Sequence, residues 1–509
     1  MSPAVGAGAA GAADAARVAD AARVVHAVRT LLWAELQPLA ERFAAAGHRL
    51  YLVGGTVRDL LAGEDQPVFD LDATTTARPT EIKRLLQGWA DAVWTQGERF
   101  GTIGALKQAS HDQAPHDQAT ADDGTTGRPV EPRVFEITTH RAEAYADDSR
   151  KPDVVFSDDV VADLSRRDFT VNAMAVEITT VTPELVDPFG GAADLRAGVL
   201  RTPLTATASF SDDPLRMLRA ARFITRYQLE PVPDLVDAVR TMGARLEIVS
   251  AERIRDELDK LLVTRSPAAG LQFLVDTGLV THAVPQLASL HGRSRPGSNA
   301  ADALGYTLAV VAIAGPSPTG WSGDEPRPRL VRWAALFVEL DADQTRQVMR
   351  DLRASGDDVA VVSSLVGVHH AWFDQADRAD RADQADRALA APDWSDADVR
   401  RFVCAAGRHL AESVALAHAA ARASEPEQQA RCRVDALVAA FARLSEVEDL
   451  GAMQPALDGA AVMDALGLAP GRDVGRALAH LDELRLDQGP MNADESIRRL
   501  RQWWADHQE

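Results

Sequence analysis

The chain has 509 residues, 46% of them hydrophobic, and a formal charge of −21. That apolar content supplies cores for three or four globular domains and excludes a disordered chain, while Cys404 and Cys432 are too few for a disulfide framework, so a reducing cytoplasm is the expected home. No apolar run approaches the roughly 18 residues of a membrane helix, and the Ala-rich start, with Asp14 and Asp20, lacks the basic-then-apolar pattern of a signal peptide, so no membrane association is expected.

Residues 1–24 are expected to be a flexible N-terminal segment. From 25 to 178, short strands (49–55, 69–74, 101–107, 134–140) alternate with helices such as 80–89, the pattern of a small mixed sheet backed by helices. The run Leu52-Val53-Gly54-Gly55-Thr56-Val57-Arg58-Asp59 places a glycine turn between a buried strand and a helix start. Gly54 and Gly55 lack the Cβ atoms that keep a phosphate from the backbone, the helix end supplies N–H groups, and Arg58 adds a charged donor one turn in. Asp70 and Asp72 then occupy alternate positions of the next strand, so both carboxylates can hold a divalent ion, Mg²⁺ by preference, against a triphosphate. Such ions assist in-line phosphoryl transfer. Glu136, in the strand-like 134–139, is a candidate third carboxylate, or simply a solvent-facing glutamate. Residues 108–133 are polar, carry His-Asp-Gln-Ala twice, and are expected to form a disordered insertion rather than a metal site.

Five motifs in order extend this pattern: Leu52 to Asp72, Arg166-Arg167-Asp168-Phe169-Thr170-Val171-Asn172-Ala173, Asp187-Pro188-Phe189-Gly190-Gly191, Asp212 to Phe223, and Ser250-Ala251-Glu252-Arg253. Together they resemble the class II CCA-adding tRNA nucleotidyltransferase and bacterial poly(A) polymerase family. The resemblance implies an α+β chain, with a nucleotidyltransferase head of the DNA polymerase β type followed by an all-helical neck, body and tail. It also implies template-independent addition of CCA to the 3′ end of tRNA from CTP and ATP, with poly(A) synthesis or partial CC- or A-addition on the same scaffold as the alternative.

In the second motif the resemblance carries nucleotide contacts to Arg167 and Asp168, the latter through a ribose hydroxyl, while Asn172 is expected to satisfy backbone groups. In the fourth, Arg216, Arg219 and Arg222 recur at i, i+3 and i+6 and form a slowly drifting positive stripe. Cytosine and adenine both offer an amino donor beside a ring-nitrogen acceptor, which suits Asp213 and Arg216 as a base-reading pair. By resemblance, Arg219 and Arg222 support the triphosphate or the pocket. The Asp187–Gly191 stretch reads equally as a hinge or a simple turn, and Ser250 as a helix N-cap.

The expected domains are the head (25–178), a neck that reads the base (179–285), a helical body (286–395) and a C-terminal tRNA-binding region (396–509). Many relatives carry a phosphohydrolase module marked by a His-Asp pair. Here Val338 and Glu339 stand in that place, and His369 and His370 are expected to be packed remnants without such activity. Against the acidic total, arginines cluster at 166–167, along 216–226 and at 498–501, the local basic surface that RNA requires.

Overall fold

A computed structural model describes residues 5–63, 70–108, 132–142, 155–373 and 394–507. The expected insertion at 108–133 lies almost wholly outside the described residues, as do residues 374–389, whose repeated Ala-Asp-Arg and Ala-Asp-Gln units read as a solvated helix or linker. The chain divides into two compact units, 1–246 and 247–509.

The first unit is built on a mixed sheet. In chain order its strands are β1 (Leu50–Val53), β2 (Asp70–Thr75), β3 (Ala92–Trp94), β4 (Thr102–Lys107), β5 (Arg133–Thr139), the outlying pair β6 (Arg141–Ala142) and β7 (Val155–Phe156), then β8 (Ala175–Glu177) and β9 (Glu184–Val186). The seven-stranded order is β3-β4-β5-β2-β1-β8-β9, with β2 and β5 parallel and the other neighbours antiparallel. All four residues of β1 are buried, as a strand covered on both faces requires. On one side lie α2 (Trp33–Ala45), whose Leu36, Leu39 and Phe43 follow helical spacing into the core, and α4 (Pro79–Leu86). The four expected strands are present within a residue or two, but β8 and β9 make the head sheet run to Val186, past the expected boundary at 178. Three-residue strands carry too little periodicity to be seen beforehand.

The segment expected to be flexible is helical. α1 spans Val5–Ala27, Val24 is fully buried, and the buried Asp20 accepts from Nε of Arg196 at 3.0 Å. After α3 (Gly55–Ala62) and α5 (Val160–Ser165), α6 (Gly191–Ala197) begins where Asp187 accepts from the N–H groups of Gly191 (2.7 Å) and Ala192 (3.1 Å). A short parallel pair, β10 (Val199–Leu200) with β11 (Glu230–Pro231), interrupts the region expected to be all-helical. Around it stand α7 (Ala206–Asp212), α8 (Leu215–Tyr227) and α9 (Pro233–Met242).

The second unit is helical throughout its described residues, starting with α10 (Ala251–Leu262), capped by Ser250 as expected. Arg329 bridges Asp259 and Asp358, and Arg400 and Arg485 both bind the buried Glu448, each at 2.8 Å, tying three helical segments together. Where a His-Asp pair would stand by the resemblance, Val338 is buried and Glu339 is held by Arg293 and Arg295. His369 is packed against Phe373, and burial, with the charges of His370 and Arg295, pushes its imidazole down to about 3. His370 Nε2 lies 2.7 Å from the Val338 carbonyl, so neither histidine faces a metal-like cluster among the described residues. Arg498 and Arg499 both pair with Glu495, which reduces the positive excess expected at 498–501.

The Asp187–Gly191 stretch is a packed joint. A Cβ on Gly191 would lie 2.1 Å from the Thr170 carbonyl oxygen, so α6 touches the second motif backbone to backbone. Gly191→Ala is therefore expected to destabilise the protein by about 1–3 kcal/mol through overpacking, read as an earlier first transition in urea unfolding.

Candidate active site

The glycine turn between β1 and α3 has a conformation that only glycine adopts readily: Gly54 stands at φ 68°, ψ −130°. A Cβ there would lie 3.0 Å from Nη1 of Arg167 and 3.8 Å from Oδ2 of Asp72. An arginine of the second motif and a carboxylate of the first thus converge over the turn. Asp70 opens β2 opposite Val134, and Asp72 stands beside Glu136 in the parallel ladder, both of the latter side chains exposed. Thr56 Oγ1, in the first turn of α3, is buried without a hydrogen-bond partner among the described residues.

The chain folds the second motif against α8 through one buried carboxylate. Asp168 accepts from its own neighbour's N–H (Phe169, 2.9 Å) and from Asn172 Nδ2 (3.0 Å) on Oδ1, and from Nε (2.9 Å) and Nη2 of Arg219 on Oδ2. Burial opposes its ionisation, but the charge of Arg219, the hydrogen bonds from Asn172 and Arg219, and the charge of Arg216 prevail and hold the carboxyl far below its ordinary range. Asn172 in turn accepts from Arg58, whose guanidinium is stacked 4.1 Å over Tyr227 and also bonded to Asp59.

This arrangement revises several expectations. With four hydrogen bonds from protein donors, Asp168 anchors the second motif to α8. Arg58 is 5% exposed, bonded to Asn172 and Asp59 and stacked on the Tyr227 ring, so it braces α8. Asn172 bridges two side chains rather than satisfying backbone. Arg219 is paired with Asp168, and Arg222 lies over the Phe223 ring at 5.0 Å. Gly55 borders the Arg58 guanidinium, with a Cβ position 3.2 Å from Nη2.

Arg216 and Asp213 sit at the start of α8, where the Arg216 backbone N–H donates to the Asp213 carbonyl at 3.0 Å while their side chains take other partners. Asp213 Oδ1 accepts from the Leu215 N–H, while Arg216 donates to Ser209 Oγ (2.9 Å), to Asp212 Oδ2 (2.8 Å) and to the Arg166 carbonyl. Arg216 is thereby aimed by the residue before the expected partner.

Sequence reasoning missed a further carboxylate. Asp163 in α5 is 3% exposed, accepts from the Arg141 backbone N–H (3.1 Å) and pairs with Arg167 (3.3 Å) and Arg166 (3.7 Å). The i, i+3, i+4 spacing of 163, 166 and 167 was the available signal.

Comparison with known proteins follows the same outline. Residues 50–201 match the family described as poly A polymerase head domain, and residues 229–290 the probable RNA- and SrmB-binding site of polymerase A. The CCA-adding enzyme of Lactiplantibacillus plantarum is 36% identical over 256 residues, 50% of this chain and 55% of that protein. The CCA-adding enzyme of Leuconostoc citreum is 30% identical over 337 residues, 66% of this chain and 70% of that protein. Like the first of these, several of the curated relatives are matched over only about half of their length. Among solved structures, the Bacillus stearothermophilus CCA-adding enzyme in complex with CTP shares the fold at a TM-score of 0.63 and 22% identity, over 93% of this chain and 99% of that one. The Thermotoga maritima CCA-adding enzyme complexed with tRNA_CCA does so at 0.57 and 18%, over 91% and 93%.

Asp168→Asn should cost about 1–3 kcal/mol by leaving Arg219 without its anion. Because the native carboxyl is depressed, its stabilisation is full above about pH 4 and is lost as the pH falls toward the native value, so the gap between parent and variant in urea melts should narrow at pH 3. The exposed Asp72→Asn should stay within about 0.5 kcal/mol of the parent at either pH.

Proposed function

This chain belongs to the family of CCA-adding enzymes and bacterial poly(A) polymerases, and from that membership we propose that it adds C, C and A to the 3′ end of tRNA from CTP and ATP, releasing pyrophosphate. The observation that carries the reading is the convergence of Arg167 and Asp72 over the strained Gly54 turn. A triphosphate lying on that turn would meet the N–H groups of α3 and the Arg167 fork, with no Cβ of Gly54 or Gly55 to hold it off the backbone.

The donor set suits a hard divalent ion. Asp72 and Glu136 offer carboxylate oxygens side by side at the exposed face of the sheet, and Asp70 stands two positions before Asp72. We assign Mg²⁺ to Asp70 and Asp72, with Glu136 as third ligand. Bound there, it would lower the pKa of the attacking 3′-hydroxyl and neutralise charge on the leaving pyrophosphate. The protein's own part is placement. Arg167 would offset phosphate charge, Asp168 and Asn172 keep the second motif packed against α8, and Arg216 on α8 with Asp213 at the end of α7 would face the base. An amino group donating to Asp213 and a ring nitrogen accepting from Arg216 would admit cytosine and adenine, whereas uracil and guanine would leave groups unpaired at about 1–3 kcal/mol each. The helical second unit is assigned to the tRNA body.

The test is incorporation of labelled CTP or ATP, with Mg²⁺, into tRNAs ending before C74, C75 or A76. Ordered addition stopping after A76 is expected, and long A tails on unrelated RNA would replace this reading by poly(A) synthesis. Asp72→Asn should remove incorporation by at least about 100-fold. Arg216→Ala should narrow the preference for CTP over UTP by about 10-fold, one lost polar discrimination.

A further inference from the structure

Three arginines crowd round Asp163 at the edge of the proposed nucleotide pocket. Arg166 and Arg167 approach its carboxylate from the second motif, and Arg141 does so from the end of the sheet, through its backbone N–H. The Arg141 side chain turns back to donate from Nη2 to Thr102 Oγ1 at 3.0 Å. Among the described residues, the Nε atoms of Arg141, Arg166 and Arg167 are all buried without a hydrogen-bond partner. Two guanidiniums pair with one buried carboxylate and a third, that of Arg141, lies near enough to feel their charges, which leaves the cluster cationic, and Arg167 reaches the Gly54 turn next to Asp72.

We propose that Asp163 is a positioning residue that aims Arg167 at the triphosphate, and that Arg141 is a further arginine of the phosphate-binding side of the pocket. This rests on reading the site as a nucleotide pocket and names residues for that site beyond the five motifs.

The physical case has two parts. A long, rotamer-rich arginine beside a glycine turn needs a fixed partner if its fork is to wait in one orientation, and Asp163 is 3% exposed and itself fastened by the Arg141 N–H. Second, the cations strain one another. Burial and the charge of Arg166, offset in part by Asp163, with Arg167 adding to the repulsion, push the Arg141 guanidinium down to about 10. Crowded like charges with unfilled N–H groups are relieved by an incoming polyanion, so the cluster stores affinity for phosphate rather than for a base.

The experiment uses the full chain and equilibrium dialysis of labelled CTP, with CMP and inorganic tripolyphosphate as competitors, so it needs no turnover. Asp163→Asn should weaken CTP binding and tripolyphosphate competition about 10-fold, as loss of a fixed charge-assisted contact would. CMP, the preference for cytosine over uracil, and tRNA binding should be unchanged, and Asp163→Glu should recover most of the loss. Arg141→Gln, which keeps the backbone contact to Asp163, should weaken tripolyphosphate competition in the same direction and decides the matter if Asp163→Asn melts early. Parent-like affinity in Arg141→Gln, or parallel losses for CTP, CMP and tRNA, would overturn the proposal. A parent that binds CTP but never extends tRNA would remove the proposed function and leave this inference standing.

Discussion

The first unit depends on one buried ion pair, Asp168 with Arg219. A carboxylate placed out of water is tolerable only when its lone pairs are filled and an opposite charge lies in contact, and here four donors do both. Arg219 comes from α8 and Asn172 from the second motif, so the same carboxylate fixes where the helix that carries Arg216 lies against the strand that carries Asp72. Arg58 extends the network from α3 through Asn172 to Tyr227, adding a cation–π contact to the far end of α8. The sheet, the second motif and α8 are thereby one polar lattice with little slack, and the glycine contact between Gly191 and Thr170 closes it from the other side.

That lattice accounts for what could and could not be read in the chain. The strands, the glycine turn and the alternating carboxylates follow from short-range rules, and the described structure has them within a residue or two. Which guanidinium faces substrate does not follow from such rules. Arg58 and Arg167 are both near the turn in sequence or motif order, but only the fold decides that Arg58 is buried under Tyr227 while Arg167 ends beside Asp72. Likewise Asp212 and Asp213 are adjacent acids before a helix. One pairs with the arginine a turn later and the other caps the helix, a division set by α7 and Ser209 rather than by spacing. Asp163 was legible in principle, since its i+3 and i+4 partners are both arginines, but an acid before two bases on a helix is also the pattern of an exposed ion pair. Burial separates the two meanings, and burial is a tertiary property.

The choice of arginine is part of the same logic. Only four of the 54 basic residues are lysines (Lys83, Lys107, Lys151 and Lys260), so the cations of this acidic chain are almost all groups that stay charged when crowded and that bond through a planar fork. A lysine buried among Arg166, Arg167 and Arg141 would shed its proton well before arginine does. With arginine, the protein can hold several like charges together near Gly54 while its surface total remains at −21.

An overall negative charge then has a use in binding a polyanion. On the proposed reading, the acidic body would repel RNA only weakly at long range, because salt screens most of the effect beyond a Debye length of about 8 Å, and the arginine-lined turn would attract phosphate at contact. Discrimination comes from that contrast. A uniformly basic chain would bind RNA along its whole surface, whereas an acidic chain with paired arginines elsewhere, such as Arg498 and Arg499 on Glu495, confines favourable contact to places where the acids run short. The two guanidiniums on Asp163, with that of Arg141 close by, make such a place, and it borders the turn where the strand carboxylate Asp72 waits.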